Sequence, residues 1–285
     1  LTLPPFDLHR AETAEEARDL LLRYGDDAAV ICGGTELLLL LKLGFAAYGH
    51  LVDIRGIREL GGVRRDNGAL VIGAAATHRE IEGSSVVLDA LPALAEMERH
   101  VANIRVRNVG TLGGNLCFSD PHSDPATFLL ALDAEAEWGS ERRPLAAFLR
   151  GPYETALGPG ELLRAVRIPL PAPETAIAHR KLAFHERPAA TVTCAIDVVD
   201  GAIRAARIAV GSVGARAVRT AEAEARLAGA ATGDAVALSE AAELAAKASG
   251  AVEDANGSRD YKLQLVRVLV ERCVEDALGR TPHRV

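Results

Sequence analysis

RNVGTLGGNLCFSDPHSD, residues Arg107 to Asp124, is the stretch on which the rest of the 285-residue chain is read. Gly113 and Gly114 stand between Thr111 and Asn115. Glycine lets a backbone turn sharply and come close to a ligand where a Cβ would intrude. The stretch therefore predicts a turn that aims bare N–H groups at an anion, with a hydroxyl and an amide on either side. Taken alone, it is equally compatible with a plain Gly-Gly turn between buried segments. Further on, Asp120, His122 and Asp124 alternate with the spacing of a metal triad. No other ligand cluster accompanies them, and hard metals take more oxygen ligands. A polar loop that places one carboxylate on a ligand is the simpler reading.

Working toward the N-terminus, GGTELLLLLKLG (Gly33 to Gly44) gives a second glycine turn, between the apolar run Ala28 to Cys32 and a short helix. Strand, glycine turn and helix start in that order build an anion site, because the first N–H groups of a helix lack partners and the dipole favours negative charge. The turn has neither the G-x-G-x-x-G of a Rossmann fingerprint nor the G-K-[ST] of a Walker loop. Before it, Thr13 and Glu16 pair as a capping box for a helix running to Gly25. Leu51 to Ile54 reads as a strand, which makes the first 55 or so residues a small α/β lobe.

From Gly62 the pattern turns to paired strands. Val63 to Arg65 and Ala69 to Ile72 flank an Asn67-Gly68 hairpin signal. Gly73 to Ala76 are small enough to leave room for a flat ligand, and Thr77 with Glu80 makes another capping box. His78 reads as a surface histidine at a helix start. Leu91 to Val101 predicts a helix, Phe128 to Leu132 a buried helical turn, and Ala134 to Trp138 and Leu162 to Ile168 strands. Pro169, Pro171 and Pro173 mark a domain boundary. Beyond it, Thr191 to Val199 and Ala202 to Val210 form a hairpin across Asp200-Gly201, followed by helices over 221–228, 235–248 and 259–278.

Composition narrows the classes. With 49% hydrophobic and 25% charged residues and a formal net charge of -7, the chain has the profile of an ordinary soluble protein. It lacks the basic stripe that nucleic acid requires. Cys32, Cys117, Cys194 and Cys273 include no C-x-x-C pair and spell neither a zinc site nor an iron–sulfur cluster. They read as small buried hydrophobes of a reducing compartment. No basic region followed by an apolar core opens the chain, and Leu37 to Leu41 is far short of the roughly 20 residues that span a bilayer. A cytoplasmic location is expected.

VICGGTELL, RNVGTLGGN and SDPHSD together resemble the FAD-binding subunit of the molybdenum hydroxylase family, which includes xanthine dehydrogenase and aerobic carbon monoxide dehydrogenase. The likeness extends through IGAAATHREIE, GELLRAVRIPLP, RKLAFHERPAA and EDANGSRDYKLQLVRVLVERCVEDAL. It implies an α+β fold: a two-lobed FAD-binding domain of the vanillyl-alcohol-oxidase (PCMH) type, with lobes over 1–55 and 56–173. A C-terminal α+β domain of the CO dehydrogenase flavoprotein type would follow over 174–285. The resemblance also implies that Cys32, Gly33, Gly34, Thr35, Glu36 and Leu37 form one wall of the FAD site, with N–H groups on the pyrophosphate. Thr111, Gly114 and Asn115 would form the other. Val101 would lie against the flavin rings, Asp124 would hold a polar part of the cofactor, and Leu163 and Lys181 would flank it. Glu36 stands where the family often has Asp. The branch resembling benzoyl-CoA reductase, with an extra cluster on inserted cysteines, is excluded by the cysteine spacing.

The function this implies is electron transfer. Electrons would arrive from an iron–sulfur subunit, pass through FAD and leave to an external acceptor, while a separate molybdenum-cofactor subunit carries the substrate chemistry. No residue reads as an acid, base or nucleophile of its own. FAD is expected to be noncovalent, because no His or Cys is suitably placed as a tether. The rivals are a self-contained FAD-dependent reductase, like the enolpyruvyl reductase of cell-wall synthesis, and a non-catalytic nucleotide-binding module. The first would need its own proton donor and the second would lack reversible flavin reduction.

Overall fold

The computed structural model describes residues 2–184 and 187–280. His185 and Glu186, inside the RKLAFHERPAA block, lie outside the described residues. Near the N-terminus, β1 (Asp7–Arg10), β2 (Ala28–Ile31) and β3 (His50–Asp53) form a parallel sheet in the order β1-β3-β2. Parallel neighbours need crossovers, here α1 (Ala14–Tyr24) and α2 (Leu37–Leu43). Thr13 caps α1 by accepting from the Glu16 N–H at 3.1 Å, and the Glu16 carboxylate accepts from Glu12 N–H, one residue earlier than a capping box requires.

The Asn67-Gly68 hairpin forms between β4 (Val63–Asp66) and β5 (Ala69–Gly73), with φ of 44° and 74° at the two turn residues. Both lie in the left-handed region that a two-residue hairpin turn demands. Six helices follow: α3 (His78–Gly83), α4 (Ser85–Ala90), α5 (Pro92–Arg99), α6 (Ile104–Arg107), α7 (Leu112–Phe118) and α8 (Asp124–Ala131). Then come β6 (Glu135–Trp138), β7 (Glu141–Pro144), α9 (Leu145–Phe148), β8 (Leu149–Gly151), β9 (Glu154–Thr155) and β10 (Leu163–Pro169). The second sheet runs β4-β5-β10-β6-β7, with β10 antiparallel to both neighbours. Every residue of β7 is exposed, so it carries no apolar alternation by which a sequence could announce it.

The third sheet is β11 (Thr175–Ala183), β12 (Pro188–Val199), β13 (Ala202–Gly211) and β14 (Val218–Arg219), paired in chain order. β11 is not foreseen in the sequence, because TAIAHRKLA mixes alanine and charge where strands favour β-branched and aromatic residues. α10 (Ala221–Leu227), α11 (Ala235–Ala248) and α12 (Arg259–Arg280) complete the chain, and their apolar residues join the buried face of this sheet in one core. Small side chains let the layers approach: Ala237, Ala241, Ala242, Ala245 and Ala246 of α11 are all buried there.

α8 fixes how the parts meet. All eight of its residues are buried, and it packs on β12 and β13 as well as on α5 and α7. A helix that is apolar all round is buried, which is why Phe128 to Leu132 reads as buried; the polar Asp124 and Thr127 of the same helix are buried with partners. The helix begins earlier than the sequence suggested, and this puts Asp124 in its first turn, capped by Ser123, whose Oγ accepts from Ala126 N–H at 3.0 Å.

Candidate functional site

A cavity of about 500 Å³ lies where the parts converge. Its walls contain Cys32 to Leu37, Thr111, Gly114 and Asn115, and also Val101, Asp124 and Leu163, so twelve of the thirteen residues expected at the cofactor are brought together. Lys181 is outside the lining and reaches it through Asp124: Nζ donates to Asp124 Oδ2 at 2.5 Å and to the His100 carbonyl at 2.6 Å.

The two glycine turns do different work. Leu112 N–H donates to the Ala76 carbonyl at 3.0 Å and Gly113 N–H to the Ala74 carbonyl at 2.9 Å. Gly114 N–H donates to Thr111 Oγ1 at 3.1 Å and Asn115 N–H to the Thr111 carbonyl at 2.9 Å. The central stretch therefore does not aim bare N–H groups at an anion; four successive donors are spent inside the protein. At the first turn, by contrast, the N–H groups of Gly33, Gly34, Thr35 and Glu36 have no acceptor among the described residues. Gly34 adopts φ +70°, a conformation suited to glycine.

The glycines also set how closely the turns meet. A Cβ on Gly33 would lie 2.3 Å from the Val109 carbonyl oxygen and 2.7 Å from Gly110 Cα, and one on Gly113 would lie 2.5 Å from Ala74 Cβ. Gly114 is exposed on the cavity wall, and a Cβ there would meet only Thr111 Oγ1, at 2.9 Å. Gly73, read as making room for a flat ligand, is spent elsewhere: its Cβ position is 2.3 Å from the Leu60 carbonyl oxygen, and of Gly73 to Ala76 only Ala74 lines the cavity.

Charge in the cavity is held in pairs. Burial pushes the Asp124 carboxyl up, yet His179 and Lys181 together outweigh it and hold it below its ordinary range. Asp124 Oδ1 has no hydrogen-bond partner, and His179 Nε2 stands 3.7 Å from it, also without one. Arg187 spans two carboxylates, Glu36 at 3.1 Å and Asp120 at 3.2 Å. Although burial opposes it, these neighbours keep the guanidinium firmly charged. The metal-triad reading is not supported, since Asp120 turns to Arg187, Asp124 to Lys181, and His122 Nδ1 to the Pro188 carbonyl at 2.8 Å. Among the described residues no group of three or more candidate metal ligands is present.

One expectation is corrected here. His78 is not on the surface; it is 3% exposed, lines the cavity and lies 2.7 Å from Glu98. Cys32, expected on the wall, is joined there by Cys117, His78 and His122. Burial pushes the Cys117 thiol up to about 12 and raises Cys32 as well, so neither is a thiolate nucleophile at neutral pH. Arg187 was missed although RKLAFHERPAA contains it, because nothing local marks one arginine as facing two carboxylates far away in sequence.

The fold and this cavity define a class: a two-lobed cofactor-binding unit joined to an α+β domain. Residues 4–171 match the FAD binding domain in molybdopterin dehydrogenase, and residues 178–277 match the CO dehydrogenase flavoprotein C-terminal domain. The carbon monoxide dehydrogenase medium chain of Hydrogenophaga pseudoflava is 34% identical over 287 residues, covering 97% of this chain and 98% of that one. The xanthine dehydrogenase FAD-binding subunit of Escherichia coli O157:H7 is 30% identical, covering 95% of each chain. A solved carbon monoxide dehydrogenase from Hydrogenophaga pseudoflava, lacking the Mo-pyranopterin moiety of its cofactor, superposes with a TM-score of 0.94 at 33% identity, covering 99% of this chain and 100% of that one. The chain belongs to the FAD-binding flavoprotein subunits of the molybdopterin dehydrogenase family. It is the FAD-binding component of an oxidoreductase assembled from several subunits. No helix among the described residues is long and apolar enough to cross a membrane.

Proposed function

We propose that FAD seats in this cavity with its pyrophosphate on the Gly33 to Glu36 turn, and that the chain passes electrons from an iron–sulfur subunit to an external acceptor. The observation that carries the seating is the run of four N–H groups, unspent among the described residues, on a turn that lines the same cavity as Gly114, which opens onto it without a side chain. The cavity volume lies within the roughly 300–1,000 Å³ of small-molecule and cofactor sites. Bound FAD supplies a redox centre that accepts electrons singly or in pairs. The protein binds and orients: Val101 and Leu163 offer apolar surface, the Asp124 carboxylate, held by Lys181 and His179, stands in the wall, and Arg187 neutralises two carboxylates that would otherwise repel the diphosphate. FAD is held noncovalently, and the thiols of Cys32 and Cys117, both kept protonated, fit that reading. Four unpaired cysteines fit a cytoplasmic location.

Substrate chemistry belongs to a molybdenum-cofactor subunit, and the C-terminal domain contributes to docking the partners. The test begins with the purified chain, which is expected to bind one FAD that denaturation releases. Gly114→Val is expected to abolish binding with the fold retained; equal affinity in variant and parent would remove this cavity as the seat. Purification from the native cell is expected to recover the iron–sulfur and molybdenum partners. Turnover of a substrate by the lone chain at an ordinary enzymatic rate, on the order of 10 per second, would instead make it a self-contained reductase.

A further inference from the structure

His78 opens α3 with its ring 3% exposed, on the wall of the cavity. Its Nδ1 is 2.7 Å from Oε2 of Glu98, which is 0% exposed, and Glu98 Oε1 has no hydrogen-bond partner. His78 also packs on the central turn: its backbone N–H donates to the Gly110 carbonyl at 3.0 Å, and a Cβ on Gly110 would lie 3.4 Å from His78 Cδ2. A lone carboxylate so deeply buried is costly, and burial selects states in which it is protonated or faces a cation. At 2.7 Å the two side chains share a proton, on the carboxyl or on the imidazole.

The other ionisable groups on the helices around His78 are otherwise engaged or lie at the surface. Glu80 accepts from Thr77 N–H at 2.7 Å, and Glu82 is paired with Arg79 at 2.6 Å and Arg107 at 3.0 Å. Asp89 of α4 pairs with Arg65, while Glu96, Arg99 and His100 of α5 and Arg105 of α6 are exposed. Elsewhere on the cavity wall, Cys32 is a protonated thiol and Asp124 is held by Lys181.

We propose that His78 and Glu98 form a proton-holding pair for the cavity. When electrons from the donor place negative charge on the occupant, the pair takes one further proton from solvent. It then stands as a neutral carboxyl beside an imidazolium, with charge balanced and no covalent bond to the occupant made or broken. The pair is a positioning element for charge, and the proposal rests on the seating of FAD argued above. The window in which to look is about pH 5 to 8, where histidine side chains in general change charge.

The experiment counts protons taken up per two electrons during anaerobic reduction of the FAD-loaded protein across that range, from the slope of the flavin midpoint potential against pH. In part of the window the parent is expected to take up about one proton more than His78→Gln or the near-isosteric Glu98→Gln. Variant counts equal to the parent's across that window would overturn the proposal. If neither variant yields FAD-loaded protein, the parent decides: two protons per two electrons with the absorption spectrum of an anionic reduced flavin supports the pair, and two with that of the neutral form, or only one, overturns it. Gly114→Val separates the two ideas: full FAD retention in that variant removes the seating, whereas loss of FAD there together with equal counts in the parent and His78→Gln removes only the proton-holding pair.

Discussion

Asp124 keeps a charge that its burial alone would take away, because Lys181 and His179 come to it from β11. A carboxyl held below its unfolded value of about 3.9 contributes stability that is complete above that value and is lost as pH falls through the lower, folded one. Asp124→Asn is therefore expected to be less stable than the parent at neutral pH, with the gap narrowing only below about pH 4. Denaturant titrations at a series of pH values check this, and a gap that is constant down to pH 2 would assign the loss to something other than charge. Lys181→Met leaves the same carboxylate without its cation. Breaking a buried pair costs about 3–5 kcal/mol, and the partial exposure of Lys181, 19%, places the expected loss at the lower end.

At the scale of elements, the site depends on two turns meeting backbone to backbone. Gly33→Ala would drive a Cβ against the Val109 carbonyl and Gly110 Cα, neither of which can swing aside. The variant is expected to lose about 1–3 kcal/mol, as overpacked sites do, and to bind FAD poorly as the turns part. Parent-like melting and FAD affinity together would show that the turns have slack. Asn115 acts through the next element: its Oδ1 accepts from Ser123 Oγ at 2.5 Å, and Ser123 caps α8. Asn115→Ala is thus expected to cost about 1 kcal/mol of stability even without FAD, measurable as a lowered Tm of the FAD-free protein.

At the scale of the whole molecule, α8 is core to two sheets at once. Thr127 of α8 hydrogen-bonds Thr191 of β12 at 3.0 Å, and Thr191 lies 3.3 Å from Ser212 Oγ. Arg216 and Arg219 donate to the carbonyls of Leu149 and Leu130. These ties predict that the second sheet and the C-terminal sheet unfold together. Calorimetry is expected to show one transition for them, and Thr127→Val, which leaves the Thr191 hydroxyl with a lost partner, should lower that single transition without splitting it. Two separated transitions in the parent would refute the shared core.

The sequence by itself determined what depends on near neighbours along the chain. The Asn67-Gly68 and Asp200-Gly201 hairpins, the caps at Thr13 and Thr77, and the long C-terminal helices follow from local turn chemistry and periodicity. The glycine turns and family blocks likewise marked most of the cavity wall. Tertiary structure alone decided which donors remain unspent. The N–H groups of Leu112 and Gly113 are consumed by the carbonyls of Ala76 and Ala74, while those of Gly33 to Glu36 are left without acceptors among the described residues. It also decided that His78 is buried beside Glu98 and that Arg187 bridges Glu36 and Asp120. A hydrogen bond or ion pair between residues tens to more than a hundred positions apart leaves no period in the chain. Whether a polar group is spent or free is therefore settled only when the fold brings its partner to it.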